Sequence, residues 1–354
     1  MHYYKFFSVL QDYDKITNFN TALELNNVIN LQNLNFGNES NESNESNLFC
    51  ISLSGGVDSM VLLDILHKQN KQIIAIHINY NNREETKLEE EFLRIYCQER
   101  NITFICHSFE ITRGSIKRHD YETYTKNIKF QLYQKVLKQY NLDYILLAHH
   151  KDDIVENILT NFCRGRNFLD LSVIKYRNKI LDVNIVRPLI NFNKDTIYNY
   201  AHYFEVPYFL DTTPDWSVRG TLRRQIFPLL YNTFNGINSF KNNLLKIAQE
   251  SSEWSSLIQT EIIDKYFNTV VFYDKSVILI NDYHKTFPLC FWQVIINKIF
   301  HKYGKSAPSR KSLLIFYEKM NGNFKDFNGF QKINLKFSKD VNVEIFTEKI
   351  IINF

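Results

Sequence analysis

The chain has 354 residues, of which 44% are hydrophobic and 15% aromatic, and a formal net charge of +4; this is ample for packed cores and predicts two or three domains. Its five cysteines form no C-x-x-C pair, which excludes a disulfide framework and a thiolate zinc site and indicates a reducing compartment. No apolar run reaches spanning length and the N-terminus lacks a signal or transit pattern, so we expect a cytoplasmic protein with no membrane partner, with an organelle left open.

The charge is unevenly distributed along the chain. Residues 1–231 carry 26 Lys and Arg against 27 Asp and Glu, whereas residues 232–354 carry 16 against 11. A basic C-terminal third favours a polyanionic partner such as a nucleic acid. A solvated lysine-rich surface explains the same numbers, so charge alone leaves both interpretations open.

Two segments precede the first predicted strand. Residues 1–36 carry apolar patches and are expected to pack on the first domain, whereas the N-E-S tract at 38–46 has no apolar residue and predicts a disordered insertion. We therefore assign 1–231, including this insertion, to the first domain and 232–354 to a second.

The stretch Ser54–Ser59 (S-G-G-V-D-S) lies between two apolar runs, 48–53 and 60–66, which predict a buried strand and a helix. Unpaired N–H groups and the helix dipole favour an anion at such a helix N-terminus, so we expect phosphate to bind here. A Gly-Gly turn with a Ser or Asp cap is the structural alternative. Because ionised Asp58 cannot donate a hydrogen bond, we expect it to ligate Mg²⁺ or to cap the helix. The candidate ligands are Ser54, Gly55, Gly56, Val57, Asp58 and Ser59.

Strands and helices alternate after this loop. The strands are predicted over 72–78, 102–107 and 143–148, and the helices over 84–100, 121–140 and 152–163. This alternation predicts an α/β fold with a doubly wound parallel sheet. Ligands of such sheets lie outside the carboxyl ends of the strands, which places His77 and Asn79 near the nucleotide.

The end of the fourth strand carries a second group of polar side chains. Asp153 and Glu156 are spaced i,i+3 and share a helix face, and His149 ends the strand before them. Carboxylates here can hold Mg²⁺, and Asp153 joins Asp58 as a candidate metal ligand. A histidine can donate to a phosphate or a leaving oxygen. The structural alternative is a strand-end histidine followed by acidic residues at a helix N-terminus.

Residues 232–354 predict a smaller α+β domain. A long amphipathic helix over 237–267 comes first, and a hairpin, two helices and three short strands follow. The predicted ranges are 270–273 and 277–280 for the hairpin, 287–303 and 309–320 for the helices, and 332–337, 341–346 and 349–353 for the strands.

Taken together, the motifs resemble the tRNA(Ile)-lysidine synthases of the PP-loop, or N-type ATP pyrophosphatase, superfamily over residues 47–230. The resemblance implies a PP-loop ATPase fold of the adenine nucleotide alpha hydrolase type. The matching motifs are S-G-G-V-D-S at 54–59, H-I-N at 77–79 with Arg83, A-H-H-K-D-D-I-V-E at 148–156, R-G at 164–165 and R-P-L at 187–189.

This resemblance implies a ligase that uses ATP and Mg²⁺. Such enzymes adenylate the C2 oxygen of the wobble cytidine in the CAU anticodon of tRNA(Ile), and the ε-amine of L-lysine then displaces AMP to give lysidine. The resemblance assigns ATP, Mg²⁺ and lysine binding to His149, Asp153 and Glu156. A homodimer is compatible with it, and the second domain is expected to dock the tRNA.

The chain departs from the family pattern at two places. Lys126 and Lys129 stand where the family has two arginines, so positive charge is kept but the bidentate fork is lost. Arg219 and Arg223 keep an R-x-x-x-R spacing, but Gly220 replaces the usual asparagine. We expect both arginines to share a helix face and to clamp phosphate or the adenylated intermediate.

Three other functions remain open at this point. A tRNA thiolase of the same superfamily would be expected to carry cysteine pairs, which are absent here, and an amidotransferase-type synthetase would need a glutaminase domain, which is not visible. A degenerate, non-catalytic tRNA-binding module is favoured by the lysines and by Gly220. Pyrophosphate release from ATP on tRNA addition separates an enzyme from such a module.

Overall fold

A computed structural model of the chain describes residues 47–81, 85–109, 118–209, 217–272, 275–322 and 332–354. The predictions made for 1–36, for the N-E-S tract, for Arg83 and for 211–216 lie outside the described residues. Contacts between Cα atoms divide the chain into two units, with the division after Gln249. In the described part of the chain, no helix is long and apolar enough to cross a membrane.

The first unit is built on a six-stranded sheet with the order β3-β2-β1-β4-β6-β5. All neighbouring strands are parallel except β5, which pairs antiparallel with β6 at the edge. Strand order reverses between β1 and β4, and the crevice at such a reversal is where nucleotides bind. The strands are β1 (Leu48–Ser52), β2 (Gln72–Asn79), β3 (Thr103–Ser108), β4 (Ile145–Leu146), β5 (Arg177–Ile180) and β6 (Val183–Val186).

Helices cover both faces of this sheet, because alternate strand residues point to opposite sides. Phe49 and Ile51 pack with α1, α2 and α5, whereas Cys50 packs with α3 on the other face. The predicted doubly wound parallel sheet is therefore confirmed. The helices of this unit are α1 (Val57–Lys68), α2 (Thr86–Glu99), α3 (Arg118–Gln139), α4 (Lys151–Cys163), α5 (Lys194–Tyr203), α6 (Val218–Thr221) and α7 (Phe227–Thr233), with a π-helical stretch, Leu222–Ile226, between the last two.

The second unit is a five-stranded antiparallel sheet with the order β7-β8-β11-β10-β9, packed on helices around Trp292 and Phe316. The predicted C-terminal α+β fold is confirmed. Its strands are β7 (Val271–Phe272), β8 (Lys275–Leu279), β9 (Ile333–Lys336), β10 (Asn342–Ile345) and β11 (Lys349–Asn353). The helices are α8 (Ile237–Ile258), in which the division of the chain falls, α9 (Lys265–Phe267), α10 (Asp282–Lys285), α11 (Leu289–Lys302) and α12 (Arg310–Asn321).

Three features differ from the sequence prediction. The fourth strand pairs with β1 at one residue pair only, Ile51 with Leu146, so β4 is shorter than the predicted 143–148. The β5–β6 hairpin and α5 were not predicted. The long helix predicted over 237–267 is interrupted by a π-helical stretch, Gln259–Asp264, between α8 and α9. The predicted domain boundary after residue 231 precedes α8.

Candidate functional site

The Gly-rich loop joins β1 to α1, as the sequence predicted, and its shape depends on Gly55. This residue has φ = +84°, and a Cβ at this position would collide with the ring of Phe209. The Phe209 N–H also donates to the Gly55 carbonyl oxygen at 3.0 Å. Glycine is therefore required both by the backbone conformation and by the aromatic ring packed against it.

Ser59 organises the loop from within. Its buried hydroxyl accepts from the N–H groups of Ser54 at 3.2 Å and Gly55 at 3.1 Å, and it donates to the Gly56 carbonyl oxygen at 3.0 Å. Two loop amides that could have faced a ligand are thus satisfied inside the loop. The Ser59 hydroxyl is likewise engaged, so its predicted contact with phosphate stays a prediction.

The amides that are open to an anion lie one turn further on. Among the residues described, none accepts a hydrogen bond from the N–H groups of Val57, Asp58 and Ser59, which form the first turn of α1. Gly56, the N-cap of this 12-residue helix, offers no side chain to cap them. Three amides and the positive end of the helix dipole therefore converge at this point, which fits the charge and donor needs of a phosphate chain.

His77 and Asn79 brace the strand ends. His77 Nδ1 donates to the Leu53 carbonyl oxygen at 2.9 Å, and burial lowers the pKa of this histidine. Asn79 donates through Nδ2 to Glu90 Oε2 at 2.9 Å and accepts through Oδ1 from the Asn81 amide at 2.9 Å. The contacts seen for both side chains are structural, and the nucleotide contact predicted for them is still a prediction.

Asp58 does not cap α1 but forms an ion pair with a lysine that the sequence analysis missed. Lys194 Nζ lies 2.6 Å from Oδ1 and 2.8 Å from Oδ2 of Asp58. Lys194 is the first residue of α5, and its backbone N–H donates to Asp152 Oδ2 at 2.9 Å. The start of α5 is thereby tied to the start of α4.

His150 caps α4 and lies between two carboxylates. Its Nδ1 accepts from the Asp152 amide at 3.3 Å, and its own backbone N–H donates to Asp153 Oδ2 at 3.0 Å. The imidazole is 1% exposed, and its Nε2 has no hydrogen-bond partner. That nitrogen lies 3.5 Å from Asp58 Oδ1 and 3.4 Å from Asp153 Oδ2, so the loop and α4 meet at this side chain.

The predicted pair Asp153 and Glu156 is buried on one face of α4 and is covered by the two predicted arginines. Arg219 donates through Nη2 to Asp153 Oδ1 at 2.9 Å and through Nε to Glu156 Oε2 at 2.8 Å. Arg223, from the π-helical stretch, contacts Glu156 Oε1 through Nε and Oε2 through Nη2 at 3.3 Å. Burial raises the pKa of Asp153, but His150 and Arg219 outweigh it and hold that pKa below its usual range. The arginines thus face carboxylates, and their predicted phosphate contact stays a prediction.

His149 is held as a neutral donor. Arg187 Nε donates to His149 Nδ1 at 3.1 Å, so the ring hydrogen is carried on Nε2. Burial, with the nearby cations Arg187, Arg219 and Lys129, lowers the pKa of His149 to about 4, and Asp153 only partly offsets them. Arg187 belongs to the R-P-L motif; it is itself buried, and burial lowers its pKa to about 10.

Lys126 and Lys129 lie on α3 with different surroundings. Lys126 is exposed, whereas Lys129 is half-buried with Nζ 5.7 Å from the centroid of the Tyr133 ring. Burial and the charge of Lys126 lower the pKa of Lys129. Neither lysine forms an ion pair with a described residue, so both charges are available to an anionic ligand. Lys129 is the nearer of the two to the site, since its charge acts on His149.

The site is balanced in charge by its own side chains. Asp152 is paired with Lys241 of α8, a further residue that the sequence analysis missed. Four carboxylates therefore face four cationic side chains, which are Asp58, Asp152, Asp153 and Glu156 against Lys194, Lys241, Arg219 and Arg223.

The carboxylates fit a magnesium ion that is bound together with a nucleotide. Within the described ranges, no group of three or more His, Cys, Asp and Glu is arranged to hold a metal by protein ligands alone. Mg²⁺ is commonly bound by one or two carboxylates with phosphates and water. Asp58, at the loop and next to the open amides, has the donor chemistry for this role.

A family model described as a PP-loop domain matches residues 25–230, which is more than half of the chain. The chain belongs to the PP-loop family. Proteins named tRNA(Ile)-lysidine synthase are similar to this PP-loop protein: that of Enterococcus faecalis is 31% identical over 210 residues, covering 56% of this chain and 45% of the relative. That of Bacteroides thetaiotaomicron is 31% identical over 220 residues, covering 61% and 50%. That of Chlamydia caviae is 31% identical over 216 residues, covering 60% and 67%.

These comparisons confirm the resemblance inferred from the motifs, and the chain spans about half the length of the first two of these relatives. Among solved structures, the PP-loop protein is similar to the U34-tRNA thiolase NcsA from Methanococcus maripaludis, with a TM-score of 0.49 and 16% identity over 67% of this chain and 79% of that one. No functional assignment follows from a similarity at that level.

Proposed function

We propose that this protein is an ATP-dependent ligase that joins L-lysine to C2 of the wobble cytidine in the CAU anticodon of tRNA(Ile). The observation that carries the proposal is the meeting of two half-sites at His150. The phosphate-binding turn of α1 lies on one side with Asp58, and the buried pair Asp153 and Glu156 lies on the other. The names of the similar proteins support the choice of lysine and of tRNA(Ile).

In the first half-reaction the C2 oxygen of cytidine attacks the α-phosphate of ATP. The amides of Val57, Asp58 and Ser59 bind the phosphate chain and stabilise the charge that develops as pyrophosphate leaves. Mg²⁺, held by Asp58 when it is bound, would supply Lewis-acid stabilisation of the same charge. Lys129, which has no carboxylate partner among the described residues, adds a positive charge near His149.

His149 suits the role of a donor in this step. With Nδ1 accepting from Arg187, the Nε2–H is the group that can donate to a phosphate or base oxygen. Its pKa of about 4 keeps the ring neutral near pH 7, so it donates a hydrogen bond without carrying a charge. Arg187 thus fixes which nitrogen donates.

In the second half-reaction the ε-amine of lysine attacks C2 and displaces AMP. A lysine ammonium has a pKa of about 10.4 in water, so the site must bind the ammonium and take one proton from it. Asp153 and Glu156 are the carboxylates for that role. Arg219, whose side chain is 52% exposed, gives way most easily, because only that arginine joins both carboxylates with contacts shorter than 3 Å from a largely solvated position.

The second domain is proposed to dock the tRNA. The basic balance of residues 232–354 favours a polyanionic partner. This part of the proposal predicts that salt weakens tRNA binding to the full chain and to the isolated first domain to different extents, provided that the isolated domain folds.

The direct test is incorporation of radiolabelled lysine into an isoleucine tRNA with a CAU anticodon, with and without ATP. We expect incorporation that depends on ATP and is lost in Asp58→Ala. Asp64→Ala is the matched control, since Asp64 lies on the same helix but pairs with Lys68 instead of facing the loop. Asp153→Asn is expected to lose incorporation while it still binds ATP.

Two outcomes would contradict the proposal. Pyrophosphate release that is stimulated by tRNA, without lysine incorporation, would keep the adenylation chemistry but reject lysine as the nucleophile. Neither incorporation nor pyrophosphate release would point to a tRNA-binding module without catalytic activity.

A further inference from the structure

The Asp58 carboxylate is already occupied by a cation of the protein. The Lys194 ammonium faces both of its oxygens, at 2.6 Å and 2.8 Å. The lysine is fixed at two other points, since its backbone N–H donates to Asp152 and its Nζ lies 5.2 Å from the centroid of the Tyr198 ring. The ion pair is therefore built into the start of α5.

The surroundings of Asp58 restrict how a metal ion can reach it. His150 Nε2 lies 3.5 Å from Asp58 Oδ1 and is buried. Because His150 Nδ1 accepts from the Asp152 amide, Nε2 carries the ring hydrogen and cannot ligate a metal. A divalent ion bound to Asp58 must therefore take the place that the Lys194 ammonium holds.

The neighbouring carboxylates provide no spare negative charge. Asp152 is paired with Lys241, and Asp153 and Glu156 are covered by Arg219 and Arg223. A second positive ion that enters this balanced cluster beside Lys194 meets like-charge repulsion at short range. Release of one resident cation removes that repulsion, and Lys194 is the cation paired with the loop.

We propose that Lys194 is a resident counter-ion of Asp58 and that Mg²⁺ must displace it, so that the lysine and the metal compete for one carboxylate. The proposal deepens the proposed function and rests on it for the identity of the metal. The displaced ammonium remains beside the phosphate-binding turn, where it can pair with phosphate oxygens. Lys194 thus neutralises the loop before the nucleotide binds and adds positive charge afterwards.

The competition can be measured with Mn²⁺ alone, without ATP, tRNA or lysine. Mn²⁺ is titrated into the full chain and the free ion is followed by electron paramagnetic resonance. We expect Lys194→Met and Lys194→Gln to bind Mn²⁺ roughly tenfold more tightly than the wild type, the factor that loss of a charge-assisted contact typically gives. Lys194→Arg keeps the charge and is expected to bind Mn²⁺ no more tightly than the wild type.

Two controls locate the effect. Lys68→Met removes a similar ion pair on the same helix, since Lys68 lies 2.7 Å from Asp64 and 5.2 Å from the centroid of the Tyr200 ring, and it should leave Mn²⁺ binding unchanged. Adding Asp58→Asn to Lys194→Met should abolish the gain. The proposal is overturned if the Lys194 variants and the wild type bind Mn²⁺ equally, or if the gain survives Asp58→Asn.

Failure of this proposal and failure of the proposed function give different results. If tighter Mn²⁺ binding is found but lysine is never incorporated, the competition stands and the ligase assignment falls. If lysine is incorporated but Mn²⁺ binding does not respond to Lys194, the reverse holds.

Discussion

His149 makes the stability of the first unit depend on pH in a predictable way. Its pKa is about 4 in the folded protein, first because it is buried and then because Arg187, Arg219 and Lys129 lie near it, whereas the ordinary value is 6.5. Above pH 6.5 the ring is neutral in both the folded and the unfolded chain, so it contributes no difference. As the pH falls from 6.5 towards 4, the unfolded chain takes up the proton first, and the free energy of unfolding decreases.

The size of the effect follows from the two pKa values. At pH 5 the unfolded histidine is about 1.5 pH units below its pKa while the folded one is still mostly neutral, which costs about 2 kcal/mol at about 1.4 kcal/mol per unit. His149→Asn removes the titration but keeps an oxygen that can accept from Arg187. We therefore expect the wild type to lose about 2 kcal/mol more than His149→Asn between pH 7.5 and pH 5.

Urea unfolding at the two pH values measures this difference. Other titrating groups act equally on both proteins and cancel in the comparison. His67→Asn, on α1 and away from the site, should retain the pH dependence of the wild type. If His149→Asn and the wild type lose the same free energy on acidification, the neutral state assigned to His149 is wrong, and so is its role as an uncharged donor.

Two predictions concern the loop itself, each read by thermal and urea unfolding and by calorimetric ATP binding. Gly55→Ala should cost about 2–4 kcal/mol, because of its positive φ and the collision with Phe209, whereas Gly56→Ala, whose Cβ would meet only Ser54 Oγ at 3.6 Å, should cost less than about 1 kcal/mol; similar losses would refute the packing argument. Ser59→Ala should cost about 1–3 kcal/mol and weaken ATP binding, since two loop amides lose their acceptor, whereas the exposed Ser54→Ala should change little; equal effects would mean that Ser59 does not organise the loop.

Much of the first unit could be predicted because its signals are local. The apolar run before the loop became β1 within a residue, and β2 and α1 followed from similar runs. The β5–β6 hairpin lacks such signals. Its strands are polar (R-N-K-I and V-N-I-V), and its turn residues, Leu181 and Asp182, adopt φ of 45° and 61° without the glycine that usually marks such a turn. Polar edge strands and an unusual turn sequence hide the hairpin from pattern analysis.

The functional site was predictable by residue type but not by pairing. The motifs identified Asp58, Asp153 and Glu156, which the structure brings to one place. The partner of Asp58 is 136 residues away along the chain, and no local pattern joins Lys194 to it. The one available signal was a lysine that begins a helix shortly after R-P-L. Ion pairs formed by folding of distant segments are visible only in three dimensions.

The packing of Phe209 on Gly55 has a consequence for the order in which a newly made chain becomes competent. The loop is translated early, but the ring and the N–H that fix Gly55 come from near the other end of the domain. A nascent chain that has emerged only through β6 has the central strands but not this support. Its phosphate-binding turn is therefore unset during most of synthesis, and a partly made chain does not sequester ATP on the ribosome.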